Sequence, residues 1–381
     1  MRLSSCGAVA SLLLLGACTT ETATSSVASP APAPAETEPA PPEPCADGTY
    51  RVASGACEAY PGLAVTRSSV VIAPARDHHT TMVIETTSGP WLYVVGGTEA
   101  WETLHADVQR AHINEDGSLG PFELAGKLPE TRAGHCMVKQ NDRLYVFGGV
   151  VSDTRVGPSK SSVVLQLDAD GKIVSSSPGP DMPDAVMHLS CNLVGDTVYV
   201  IGGRNVHGTS ATLSARTKIG VDGVASAFEK TTPLTPDRSH HAAFVKDGRL
   251  YLVGGITGDP VAKSENRKDV VFAPIAEDGS LGEWTAAGSL PTSVSVSAAQ
   301  LYKDAVYVFG GLESGGFSKK IRRATFEPDG TLSRFATLAS TLPDPRGHVH
   351  QTPMYKQFIY SVGGKDADDH SLDAIDVGHF D

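Results

Sequence analysis

The chain has 381 residues, of which 40% are hydrophobic and 6% aromatic, with 39 Gly, 25 Pro and a formal net charge of −12. That apolar share rules out wholesale disorder, and the acidic balance argues against a nucleic-acid partner, whose phosphates need a basic face. No apolar run reaches the roughly 18 residues of a spanning helix, and high Gly with few aromatics suits many short strands better than helices.

Met1 and Arg2 open a short positive segment, and residues 8–17 are small and apolar, too short to span as a mature helix. This pattern reads as a secretory signal over residues 1–17. It ends in Leu15-Gly16-Ala17-Cys18, which resembles the lipobox of bacterial lipoproteins. The resemblance implies cleavage before Cys18, lipid on its thiol, and a place in the bacterial cell envelope, at the outer membrane or cell surface. An ordinary signal cleaved nearby is the alternative. Residues 18–44 are a Pro/Ala-rich stretch that cannot form a core and reads as a disordered tether. If extended at about 3.1 Å per residue, it reaches on the order of 80 Å. In the next segment, residues 45–62, an oxidising compartment makes a Cys45–Cys57 disulfide the expectation. Cys136 and Cys191 lie in apolar strands and read as buried free thiols, with a second disulfide left open.

Residues 63–381 are one unit repeated. LYVVGG ends at Gly97, LYVFGG at Gly149, VYVIGG at Gly203, LYLVGG at Gly255, VYVFGG at Gly311 and IYSVGG at Gly364, at spacings of 52, 54, 52, 56 and 53 residues. Each unit places a small or polar stretch, often with His, before this strand and a variable loop after it. A third strand then meets an Asp-Gly turn (116–117, 170–171, 222–223, 278–279 and 329–330), where Gly takes positive φ without strain. A fourth strand follows, marked by Phe122, Phe228, Trp284 or Phe335. Four antiparallel strands per unit, repeated radially, predict an all-β, six-bladed β-propeller.

The apolar strand, Gly-Gly, later aromatic and Arg-x-x-His-like opening resemble the kelch repeat over about residues 64–381. The last unit stops at Asp381 without an Asp-Gly turn or fourth strand, while residues 63–79 carry a spare strand ahead of the first unit. The N-terminal strand is therefore expected to complete the last blade and remove two open edges. Kelch propellers host both enzymes and binding platforms, so the resemblance implies fold more than function. Galactose oxidase is a kelch relative, but its copper and Cys–Tyr crosslink have no recognisable counterpart here. Sialic-acid mutarotases share the fold and export, but no diagnostic catalytic motif is found, and HExxH, GxSxG, Walker and CxxC patterns are also missing from the chain.

Thirteen residues before the first Gly of each pair stand His135, Leu189, His241, Ser297 and His350, and His79 reaches the same place across a longer hairpin. His78, His188 and His240 stand one position earlier. In a kelch blade this is the innermost strand, so the imidazoles approach the channel. The kelch resemblance implies hydrogen bonding to backbone between blades as their role, with metal binding, proton transfer or ligand contact as the alternatives. No metal or cofactor is assigned. Sixteen before Gly-Gly stand Arg132 and Arg238, with Arg346 one further out and Arg76 aligned by the longer hairpin. In kelch propellers this entry shares a face with the loops after Gly-Gly, which here carry Trp101 and Arg204. An arginine collar around one mouth is therefore expected; the rival role is salt bridging to Asp77, Asp237 or Asp344. The resulting expectation is a scaffold, lipid-anchored at the membrane, that binds an anionic protein or glycan through this face. Its ligand candidates are Arg76, Arg132, Arg238, Arg346, His79, His135, His241, His350, Trp101 and Arg204. The alternative is an exported sugar-modifying enzyme of the mutarotase kind.

Overall fold

A computed structural model of the chain describes residues 49–51, 55–60, 62–151, 157–259 and 263–381. The expected signal, Cys18, the tether and Cys45 lie outside them. Cys57 is disulfide-bonded and sits in a small hairpin, Thr49–Arg51 with Cys57–Ala59.

Six four-stranded antiparallel sheets follow as blades. Blade one is Thr80–Thr86, Gly89–Val95, Asp107–Ile113 and Leu119–Lys127 from inside to outside. Blades two to five begin with inner strands Cys136–Gln140, Ser190–Val194, Ala242–Lys246 and Ala298–Tyr302. Blade six runs Met354–Tyr355, Phe358–Val362, Ile375–Phe380 and, outermost, Leu63–Arg67. Leu63 pairs with Phe380 and Arg67 with Asp376 in antiparallel register, so the N-terminal strand closes the last blade as the sequence predicts.

The second strand of each blade is the apolar run ending in Gly-Gly, and it is covered on both faces: Leu92, Tyr93, Val94 and Val95 are fully buried. Apolar clusters lie between blades rather than within them. Tyr93 and Val95 of blade one meet Met137 and Leu144 of blade two, and Leu92 and Val94 meet Tyr360 and Val362 of blade six. The second Gly donates its N–H to a carbonyl of the following blade at every junction. Gly97 bonds Arg132, Gly149 bonds Val186, Gly203 bonds Arg238, Gly255 bonds Val294, Gly311 bonds Arg346 and Gly364 bonds Arg76, at 2.8–3.0 Å. At Gly97 φ is +100°, and a Cβ there would lie 2.8 Å from both the Asp77 carbonyl oxygen and the His79 Cβ. Backbone must approach backbone at this point, and only Gly permits it.

The tyrosine two residues before each strand's end ties the rim. Tyr93, Tyr145, Tyr199, Tyr251 and Tyr360 each donate to the carbonyl of the Asp-Gly glycine in the next blade, at 2.7–3.0 Å. Tyr307 has no such turn beside it, because blade six is finished by the N-terminal strand instead.

Cys136 and Cys191 are bonded to each other across 5.7 Å between Cα atoms, which corrects the reading of both as free thiols. Inner strands of adjacent blades run side by side near the axis, so residues a whole repeat apart in sequence become neighbours. The bridge spans a sequence separation of 55 residues, which in the chain-entropy description stabilises the fold by about 4 kcal/mol.

Candidate functional site at the mouth of the central channel

The residue two before the inner strand in blades one to five, and its equivalent in blade six, takes the left-handed conformation: His78, Gly134, His188, His240, Val296 and His348, with φ between 50° and 65°. These residues form a chain of hydrogen bonds around the axis. Gly134 N–H donates to the His78 carbonyl, His188 to Gly134, His240 to His188, Val296 to His240 and His348 to Val296, at 2.7–3.1 Å. The left-handed turn costs an L-residue about 1–2 kcal/mol and suits Gly best. Blade two uses Gly there, whereas four blades use His.

The turn carries those four side chains into the channel. His78 and His348 have ring centres 4.1 Å apart, and His188 and His240 stack at 3.8 Å. His78 and His188, two blades apart, come within 4.8 Å edge to face. Their ligand atoms all lie within 4.8 Å of one another. His350 stands beside them, 5.7 Å from His78. Trp101 tilts over His78 at 4.5 Å and marks the side of the loops.

Burial holds every one of these imidazoles neutral. His78, His188, His240 and His348 are pushed well below the ordinary histidine range by desolvation, reinforced by their mutual repulsion. His350 is brought down to about 4 by desolvation, although Asp77 opposes the shift. Asp77 is buried and its carboxyl is raised by desolvation. It hydrogen-bonds His78 Nδ1 and accepts from Ser371 Oγ, which directs His78 Nε2 away from the carboxylate. Ser239 Oγ lies 3.0 Å from His240 Nδ1.

The inner-strand entry and the loop after Gly-Gly do share a face. Isolated bridges pair Asp77 with Thr98, Ala133 with Val150, Met187 with Arg204, Ser239 with Ile256, Ser295 with Leu312 and Gly347 with Lys365. This register brings Arg204 and Lys365 beside the imidazoles. Arg204 is partly exposed, donates to the Gly208 carbonyl at 3.0 Å, and has no ion pair with a carboxylate among the described residues. Lys365 is buried and pairs with Asp369 at 2.7 Å.

The expected arginine collar lies elsewhere. Arg76, Arg132 and Arg238 are fully buried and Arg346 is 1% exposed. Each donates to the carbonyl of the first Gly of its own pair: Gly96, Gly148, Gly254 and Gly363. Their ion-pair partners are Asp107, Glu130, Asp269 and Asp376, not Asp77, Asp237 or Asp344. A guanidinium that donates to this carbonyl and pairs with an acid at once is turned into the blade, away from the mouth. Blade five has Val294 at this position, and Arg322 from its third strand reaches the Gly310 carbonyl instead, at 3.3 Å.

The histidines of the inner strands divide in the same way. His135 Nε2 meets Thr80 Oγ1 of blade one, and His241 Nε2 meets Ser190 Oγ of blade three, both at 2.9 Å. These bonds do join neighbouring blades, but through side-chain hydroxyls and not the backbone that the sequence reading expects; His79 packs its ring against Gly363 of blade six as His135 does against Gly96. His350 does not share their position. Blade six holds one extra residue before its Gly-Gly, so Val349 is the equivalent of His79, and His348 is the equivalent of His78. Sequence reasoning missed His348 and Lys365 and left the histidines one position earlier without a role. Counting from arginine, as Arg76-x-His78, Arg238-x-His240 and Arg346-x-His348, carries the signal that counting back from Gly-Gly blurs.

No protein-family model matches the chain. It is 26% identical over 186 residues to "Kelch-like protein terF" of Aspergillus terreus, covering 46% of this chain and 38% of that protein. It is 24% identical over 238 residues to "Beta-scruin" of Limulus polyphemus, covering 61% and 25% respectively. It is 27% identical over 169 residues to human "Kelch-like protein 33", covering 44% and 29%. These matches span well under half the length of the relatives. The solved structure of YjhT aligns over 80% of this chain and 95% of its own, with a TM-score of 0.60 at 11% identity. That likeness and the kelch-like relatives agree with the six-bladed kelch-type propeller described above.

Proposed function

We propose that the protein is an envelope-anchored binding scaffold that docks a protein or glycan partner at the mouth carrying Trp101 and Arg204, and that the docked group carries a carboxylate. The observation that carries this reading is Arg204. Its guanidinium is half-withdrawn from water, with its pKa lowered by desolvation, and no acid of the described residues pairs with it. A carboxylate supplied by a partner would complete it bidentately. The indole of Trp101, held at φ 62° beside His78, offers an apolar plate for a sugar ring or an aliphatic side chain. Loops of differing length surround both residues on a repeated scaffold, where specificity is usually built. The likeness to kelch-like proteins supports a binding role without indicating a ligand.

The test is binding to acidic-glycan and acidic-peptide arrays, with capture from an envelope extract to supply a natural ligand for titration. Arg204→Ala should weaken the captured interaction by about 10- to 100-fold, a charge-assisted bond being worth about 1.5–3 kcal/mol. It should leave the melting temperature unchanged, since Arg204 closes no ion pair. Unchanged affinity, or turnover of reducing-sugar anomers by the purified protein, overturns the scaffold reading. Envelope anchoring rests on Leu15-Gly16-Ala17-Cys18, outside the described residues. Cys18→Ala should move the protein from membranes to the soluble fraction with the propeller still folded. Retention after salt and carbonate washing would place the attachment elsewhere.

A further inference from the structure

We propose that His78, His188, His240 and His348 form a binding site for one divalent late transition metal, of the class that prefers imidazole nitrogen (Zn2+, Cu2+ or Ni2+). The site is built by the fold rather than by a local motif: four blades each contribute one side chain at the same position. Their ligand atoms already lie within 4.8 Å of one another. A tetrahedral Zn2+ with bonds of about 2.0–2.1 Å needs nitrogens about 3.3 Å apart, so the metal would have to draw the rings together by up to about 1.5 Å.

Three further observations point to a ligand. First, Nδ1 of His188 and of His348 is buried without a hydrogen-bond partner, although His188 is 96% withdrawn from solvent by area, at 4% exposure. Nδ1 of His79, His135 and His241 at the blade junctions is unpartnered as well, so the orphaned nitrogens point to a ligand here only together with the convergence of the four rings; a bound metal would satisfy those at the axis. Second, the other two rings have outer partners of the kind that orient metal ligands: Asp77 on His78 Nδ1 and Ser239 on His240 Nδ1. Asp77 is itself fixed by Ser371. Third, His fills four of the six equivalent left-handed positions, where Gly is the unstrained choice; the turn itself belongs to the ring of backbone bonds, since Gly134 and Val296 adopt it too.

Two cations oppose the site. Lys365 acts on His78 and His348, and Arg204 on His240 and His348. Lys365 is paired with Asp369 and Asp77 lies against His78, whereas the charge of Arg204 stays uncompensated among the described residues and weakens the site. The sequence argument against metal took His79, His135, His241 and His350 as the channel set. The structure sends His79, His135 and His241 to the blade junctions, keeps His350 beside the axis, and brings the four ligand histidines together there.

The experiment uses the full chain, purified without a histidine tag and stripped with chelator. Titration with ZnCl2 should show one site per chain with a dissociation constant at or below micromolar. X-ray absorption of the Zn2+-loaded protein should show at least three imidazole nitrogens at about 2.0 Å. His188→Gln and His240→Gln should each weaken binding at least 30-fold. His370→Ala should leave it unchanged, which separates this site from the exposed group of Asp366, Asp368 and His370. If the glutamine variants fail to fold, the absorption spectrum of the parent decides alone. Substoichiometric uptake at 10-fold excess Zn2+ overturns the proposal. So does a metal bound through fewer than three imidazoles, or affinity that His370→Ala removes and His188→Gln does not. These readouts do not depend on any partner, so failure here leaves the Arg204 reading standing.

Discussion

A chain that begins at Arg76 should show no cooperative unfolding transition, while a chain that begins at Cys45 should unfold as one unit. The shorter chain loses Leu63–Arg67, which pairs along the outer edge of blade six with Phe380 through Asp376. It leaves an exposed strand of unpaired backbone groups, a template for aggregation. It also loses Leu63 and Ile72, which are 5% and 0% exposed, and burying each is worth about 1.5–3 kcal/mol. Arg67 disappears as well, and with it a 2.6 Å ion pair to the buried Asp376. Against a total stability of about 5–15 kcal/mol these losses are decisive. In a ring the damage is not local, because blade six covers one face each of blades one and five. Urea denaturation followed by tryptophan fluorescence, with size-exclusion chromatography, reads the outcome. A peptide of residues 58–75 added in trans should partly restore the transition. Matching midpoints for the two chains would show that the strand decorates the ring rather than locking it.

The ring was legible because its contacts are made by backbone at a fixed period. Gly-Gly recurs because the second glycine must pass a neighbouring carbonyl, and Asp-Gly recurs because a tyrosine hydroxyl binds its carbonyl; such demands leave residues that can be read. The axial site was less legible for a physical reason. Its members are set by a left-handed turn, which no residue type announces: Gly134, Val296 and His188 all adopt it. One extra residue in blade six then shifts His350 into the register where Val349 belongs. The disulfide was hidden by the same geometry, since radial repetition makes Cys136 and Cys191 neighbours without any short spacing. The arginines were located correctly in sequence and misplaced in role. A position just outside the inner strand suggests a mouth, whereas the glycine carbonyl and the acid behind it draw the guanidinium inward.

Because the arginines are struts, replacing Arg238 should unfold the protein more easily. Arg238 donates to the Gly254 carbonyl at 2.9 Å and to the Asp269 carboxylate at 2.9 Å, and its side chain is fully buried. Arg238→Met keeps most of the volume and removes the charge, which leaves a carbonyl without its donor. Breaking a buried pair costs about 3–5 kcal/mol; the lower end applies here, because Arg267 still holds Asp269 at 2.8 and 3.0 Å. Arg132 sits two blades away with its own partners, so Arg132→Met should add its cost nearly independently. The double variant should then lose about 6 kcal/mol, enough to depopulate a marginal fold. The pH dependence separates charge from packing. Burial pushes the Asp269 carboxyl upward, but the Arg267 hydrogen bonds and the Arg238 charge outweigh it and bring its pKa down to about 2. A carboxylate lowered by folding stabilises fully above its unfolded pKa of about 4, and that stabilisation is lost as pH falls through 2. The stability gap between the parent and Arg238→Met should therefore be widest at neutral pH and narrow between about pH 4 and 2. Urea midpoints measured across that range would show it. A gap that stays constant with pH would mean that Arg238 acts by filling space, and an unchanged midpoint with altered ligand binding would return it to the mouth.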